Sequence, residues 1–93
     1  MNKYELMTIA NIKLGEDGAV KVSNSVKDLI SSLNGKVLDS SFWGKRKFSY
    51  EIKHEGEGFY DLITFELPQE MATELRTKLN YMTGLVRYLV TAE

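Results

Sequence analysis

The sequence predicts an α+β domain with two helices on one face of a four-stranded antiparallel sheet. Three observations predict it. Two segments carry apolar residues at the 3.6-residue period of an amphipathic helix. Four others are rich in β-branched, aromatic and alternating residues. Their order along the chain is β-α-β-β-α-β.

The first strand is read from Tyr4 to Ile12. Leu6, Thr8 and Ala10 fall on one face and Met7 and Ile9 on the other, which suits a central strand covered at least partly on both sides. Leu14–Gly18 is read as a loop whose acids, Glu16 and Asp17, favour the positive end of a following helix. From Ala19 to Leu33, the residues Val22, Val26, Leu29, Ile30 and Leu33 trace one helical stripe. Asn34-Gly35 is expected to end it, with the glycine in the left-handed conformation.

Lys36 to Ile52 reads as a long second strand, with Gly44 marking a bulge or bend. Lys53–Gly58 is a charged, glycine-bearing turn, and Phe59–Leu67 returns as the third strand, so the two form a hairpin. Pro68 suits the first turn of a helix, where its missing N–H costs nothing. Met71, Ala72, Leu75 and Leu79 form the second stripe, with Glu70 early and Arg76 and Lys78 late, as the helix dipole prefers. Leu85 to Thr91 is the last strand. This order is the ferredoxin-like split β-α-β sandwich. Two right-handed crossovers give sheet order 4-1-3-2, with strand one central, strand two at an edge and one sheet face open.

The 93 residues make one domain, residues 1–93, with no internal linker or low-complexity tail. With no cysteine, disulfides, zinc knuckles and thiol catalysis are excluded, and the single histidine, His54, builds no metal site alone. The first residues lack a signal peptide's apolar run, and no segment approaches the roughly 20 apolar residues of a membrane span. A cytoplasmic protein is expected, with no membrane partner, no small-molecule substrate and no cofactor. The net charge of −1 argues against indiscriminate coating of nucleic acid, so any RNA contact comes from a patch.

Such a patch is present. Phe42-Trp43-Gly44-Lys45-Arg46-Lys47-Phe48-Ser49-Tyr50 holds three cations, four aromatics and no acid. Cations neutralise phosphates, and rings stack on bases or fill a partner's pocket. The plainer explanation is a solvated edge strand whose cations prevent edge-to-edge pairing. Strand alternation puts Arg46 on the face opposite Lys45 and Lys47. Trp43 goes to packing or a partner contact, Tyr50 is a stacking candidate, and Phe42 and Phe48 are assigned to the core. Lys3 and Tyr4 start the central strand, where a ring can rest on the open face; core or edge packing of that ring is the alternative. Arg87 is placed to bring charge to the open face, the alternative being a cross-strand pair with Glu5. His54 with Glu55 and Glu57 sits at a loop tip, a poor place to hold catalytic geometry. Glu55-Gly56-Glu57-Gly58 lacks the lysine and helix of a phosphate loop.

Tyr4-Glu5, Gly35-Lys36-Val37, the block Trp43–Ile52, Glu57-Gly58-Phe59-Tyr60 and Val86–Val90 together resemble the bacterial small-subunit ribosomal protein six family. The likeness runs through nearly the whole chain, and the strand-two block is its most specific part. It implies a non-enzymatic protein of the small-subunit platform. It also implies binding to the central domain of the small-subunit ribosomal RNA together with small-subunit ribosomal protein eighteen. Positions matching RNA or partner contacts are Lys3, Tyr4, Lys45, Arg46, Lys47, Tyr50 and Arg87. The chain departs from the pattern at Phe48-Ser49, where relatives carry Leu-Ala, and at Lys47, which lacks a guanidinium's bidentate fork. Many relatives also carry a charged tail after the last strand, where this chain stops at Thr91-Ala92-Glu93. Two other classes compete: a protein–protein module with no direct RNA role, and an acylphosphatase-type enzyme. The enzyme would want an arginine beside a strand-one glycine loop, and none accompanies Gly15 and Gly18.

Overall fold

Backbone pairing carries β1 (Asn2–Asn11) down the middle of a four-stranded antiparallel sheet. The structure is a computed structural model that describes residues 2–52 and 55–92, the side chains of 45–57 excepted. A 3-10 turn at Ile12–Leu14 leads into α1 (Gly15–Ser32), followed by β2 (Lys36–Ile52) and β3 (Glu55–Leu67). A second 3-10 turn at Gln69–Met71 opens α2 (Ala72–Asn80), and β4 (Leu85–Ala92) completes the order. The sheet runs β2-β3-β1-β4, the expected 4-1-3-2 order read from the other side.

Both helices cover the same face. Val26 and Ile30 of α1, Leu33 just past its end, and Leu75 and Leu79 of α2 pack on Leu6, Ile63, Phe65 and Leu67 of the sheet. Each of these side chains is buried, at about 1.5–3 kcal/mol of transfer free energy for each large apolar group. A smaller cluster of Ala10, Ala19 and Phe59 closes the other end, with Phe42 stacked on Phe59. Phe42, assigned to the core, is only half-buried and packs against this cluster from its margin; Phe48 lies among the side chains outside the description.

β1 starts two residues earlier and ends one earlier than expected, β4 ends one later, and three further differences have a physical cause. The first helix starts at Gly15 instead of Ala19, because Glu16 and Asp17 sit inside its first turn and complement the exposed N–H groups there. The third strand begins at Glu55, not Phe59: backbone pairing of Lys47 with Glu57 and Ile52 with Glu55 outweighs the poor strand propensity of Gly56 and Gly58. The left-handed residue after α1 is Asn34, φ 67°, and not Gly35. Gly35 N–H donates to Ile30 O at 2.9 Å and Asn34 N–H to Ser31 O at 3.1 Å, the paired bonds of a Schellman cap. Gly35 is needed for a different reason. A Cβ there would lie 2.7 Å from Ile30 Cγ2 and 2.8 Å from Glu66 O, so the helix end can approach β3 only over a hydrogen.

The bulge expected at Gly44 is present. Phe42 pairs with Asp61 and Gly44 with Tyr60, which leaves Trp43 as the extra residue, and Gly44 has φ 77°. A second shift, between Val37 and Asp39, leaves Leu38 out in the same way. Both ejected side chains are exposed on the edge strand, Trp43 at 43%.

Candidate nucleic-acid interface

The open sheet face follows from the register, because residues two apart along a strand share a face. On β1 it carries Lys3, Glu5, Met7, Ile9 and Asn11, the alternates of the helix-facing Tyr4, Leu6, Thr8 and Ala10. Antiparallel pairing then builds rows across the sheet. Glu66 stands between Lys36 and Lys3, and Leu62 lies between Ser41 and Met7, with Leu89 beyond. Tyr60 lies between Gly44 and Ile9, with Arg87 beyond Ile9. The last row pairs Arg46 and Asn11 with Gly58.

This register divides the face electrostatically. The acids Asp39, Glu5 and Glu66 occupy the two rows at one end, mixed with Lys3 and Lys36. The other three rows contain no acid, and they contain Arg87 and the register position of Arg46. Along β4, Leu89 is 63% exposed, and a hollow of about 490 Å³ lies among Met7, Ile9, Arg87, Tyr88 and Leu89. By register, the described part of the open face is therefore apolar in its middle, with Arg87 and the position of Arg46 in the rows nearer the hairpin.

The sequence-derived residues fall in four places. Arg87 is exposed on the open face opposite Ile9; Glu5 pairs with Thr91, so Glu5 and Arg87 are not register partners. Lys3 is exposed on the same face at the opposite end, paired with Glu66. Lys45, Arg46 and Lys47 lie in β2, where backbone pairing with Phe59, Gly58 and Glu57 confirms that Arg46 takes the opposite register face from its two neighbours. Their side chains and that of Tyr50 lie outside the described residues, as does His54 altogether. Tyr4 differs from the open-face placement. Its ring is buried on the helix-covered face, 5.5 Å from the Phe65 ring and stacked on it. The cause is parity: Tyr4 is two residues from Leu6, the deepest core residue of β1, so both point beneath the helices.

Two features escaped the sequence reading. The half-buried Tyr60 stands on the open face in a central strand, and the period-two alternation against Phe59 and Asp61 was the signal that could have found it. Asp61 itself is 2% exposed beneath α1, where Ser23 Oγ donates to its Oδ2 while Oδ1 has no partner among the described residues. An acid in a row of Phe59, Ile63 and Phe65 is the mark of such a site.

Among the described residues no group of three His, Cys, Asp or Glu side chains gathers to hold a metal. No helix there is long and apolar enough to cross a membrane.

The family model for ribosomal protein S6 matches residues 3–92. The chain belongs to this family. It is 37% identical over 93 residues to small ribosomal subunit protein bS6 of Fusobacterium nucleatum, covering all of this chain and 99% of that one. It is 39% identical over 90 residues to the bS6 protein of Symbiobacterium thermophilum, covering 97% and 95% of the two chains. The crystal structure of ribosomal protein S6 from Thermotoga maritima superposes with a TM-score of 0.92 at 28% identity, covering 99% of this chain and 87% of that one. The C-terminal domain of the MgtC protein from Mycobacterium tuberculosis shares the fold alone, with a TM-score of 0.64 at 10% identity. A ribosomal protein of the small subunit is a structural component of the translation machinery in the bacterial cytoplasm, not an enzyme.

Proposed function

We propose that the protein binds the central domain of the small-subunit ribosomal RNA together with small-subunit ribosomal protein eighteen. One observation carries the RNA half of this reading. The acid-free end of the open face leads directly into the Lys45-Arg46-Lys47 segment of β2, so cations border that end from both edges of the sheet. Such contacts supply affinity and position through phosphates, while RNA shape supplies most of the specificity. Lys45, Arg46, Lys47 and Arg87 are the phosphate-binding candidates, with Lys3 and Tyr50 at the margins. Tyr4 contributes as a core ring that fixes the start of β1.

The companion half rests on Trp43 and Leu38. Two bulges push these apolar side chains outward along the edge strand, where a protein can cover them. The test is chemical footprinting of a central-domain transcript with this protein alone, the companion alone, and both. Protection that requires this protein supports the reading. Protection by the companion alone, unchanged when this protein is added, overturns it in favour of a protein-interaction module without RNA contact.

A further inference from the structure

We propose that the outer edge of β4 pairs with β4 of a second copy of this chain, joining two sheets into one of eight strands about a two-fold axis at Leu89. The inference stands apart from RNA binding, and it leaves Trp43 and Leu38 uncovered on the β2 edge.

A strand at the end of a sheet presents unpaired backbone N–H and C=O groups, a template for another strand. β4 is such a strand: among the described residues none pairs with its outer side. It also lacks the usual defences of an edge. Leu85–Ala92 contains no proline and no glycine, and Arg87 is its single charge. Two bulges interrupt β2, the opposite edge, along its outward course. On β4 a register shift lies at Val86, and from Arg87 to Ala92 the pairing with β1 is regular.

The register selects a second copy as the occupant. Three neighbouring rows of the open face end on β4. The first carries Asp39 and Glu5 and ends in Thr91. The middle row carries Leu62 and Met7 and ends in Leu89, and the third carries Ile9 and ends in Arg87. A two-fold axis through Leu89, perpendicular to the sheet, keeps both open faces on one side, because opposed residues of an antiparallel pair share a face. Leu89, 63% exposed, then meets its own copy, and the apolar middle row continues into the second sheet. Arg87 stands opposite Thr91 of the second copy. Glu5 of that copy lies one strand further on, about 10 Å from Arg87 at the backbone. Symmetry repeats the contact in reverse, so each row bearing acids meets the row bearing Arg87. Arg87 also interacts within its own chain; the pairing uses its charge and does not require a vacant guanidinium. Other axes fit less well. One at Arg87 would oppose two like charges, and one at Tyr88 would set Arg87 against Leu89.

The test is sedimentation velocity of the full chain from about 10 μM to about 1 mM, the range suited to a small interface. A monomer–dimer equilibrium is expected. Leu89→Lys sets two like charges at the axis and is expected to weaken association roughly tenfold or more, while its thermal midpoint at low concentration shows that it folds. The chain has no cysteine, so Leu89→Cys supplies one thiol per copy. Opposed Cβ atoms lie about 4.5–5.5 Å apart, so diamide, which takes the two thiol hydrogens as the S–S bond forms, is expected to link Leu89→Cys into a covalent dimer. Leu38→Cys, exposed on the other edge, is expected to stay monomeric under the same treatment. A natural chain still monomeric at about 1 mM overturns the proposal. So does a dimer indifferent to Leu89→Lys, or equal cross-linking of the two cysteine variants. Adding the companion is expected to leave the dimer intact. A companion that dissolves it and shields Leu89→Cys from alkylation would assign the β4 edge to that protein and overturn self-pairing.

Discussion

Replacing Ser23 by alanine should destabilise the protein far more than the loss of one surface hydroxyl would. Asp61 is buried beneath α1, Ser23 Oγ donates to its Oδ2, and its Oδ1 has no partner among the described residues. Ser23 is itself buried, so water does not readily take the hydroxyl's place. Ser23→Ala therefore strips the donor from a carboxyl that is already half satisfied. Leaving a buried polar group unmade costs about 1–3 kcal/mol. Taking about 2 kcal/mol, and a midpoint shift of roughly 4–8 °C per kcal/mol for a domain of this size, Tm should fall by roughly 8–16 °C. Asp61→Leu removes the demanding group instead. It leaves a serine that can bond back to the carbonyl four residues earlier in its helix, and should cost little. The double variant S23A/D61L should be more stable than S23A, giving a coupling of about 2 kcal/mol in the mutant cycle. Urea and thermal unfolding followed by circular dichroism measure all four proteins. A Tm for S23A equal to that of the natural protein, or a double variant no more stable than S23A, would refute the reasoning.

Two further outcomes follow from the backbone and the core. Gly35→Ala puts a methyl against Ile30 and the Glu66 carbonyl and should cost roughly 1–3 kcal/mol. Asn34→Gly, one residue earlier at φ 67°, should be neutral or slightly stabilising; urea midpoints of the two variants check the contrast. Leu79→Ala, in the core under α2, should cost about 2–5 kcal/mol, whereas Leu89→Ser on the open face should stay within about 0.5 kcal/mol of the natural protein.

The elements were legible where periodicity is strong. The stripe of Val22, Val26, Leu29, Ile30 and Leu33 reported α1, and the central position of β1 showed in apolar side chains on both its faces. Gly44 announced its bulge because a mid-strand glycine has few other uses. Boundaries were less legible where local propensity and pairing disagree. Gly15 and Gly18 are poor helix formers inside a helix, and Gly56 and Gly58 are poor strand formers inside a strand. In both places partners distant in sequence or charges at the helix end decide the outcome. The cap after α1 shows another limit. Composition marks Asn34-Gly35 as a stop, but only geometry shows that asparagine takes the left-handed turn while glycine makes room for β3.

The candidate site was legible in its charges and less so in its rings. Lys45, Arg46, Lys47 and Arg87 stand out in sequence because cations without nearby acids are conspicuous. Tyr4 and Tyr60 look alike in the sequence, and only strand parity separates the buried ring from the one on the open face. The buried Ser23–Asp61 pair joins residues on different elements, so no local pattern links them, although an acid in an apolar alternation was a visible anomaly.

The most direct measurement is the salt dependence of rRNA binding, in the presence of the companion, for the natural protein and for the variant with Lys45, Arg46 and Lys47 all changed to alanine. If these side chains bind phosphates, the slope of log affinity against log salt should fall by roughly 2–3 units, at about 0.7–0.9 per lost contact. An identical slope for the two proteins would contradict the claim that this strand grips RNA.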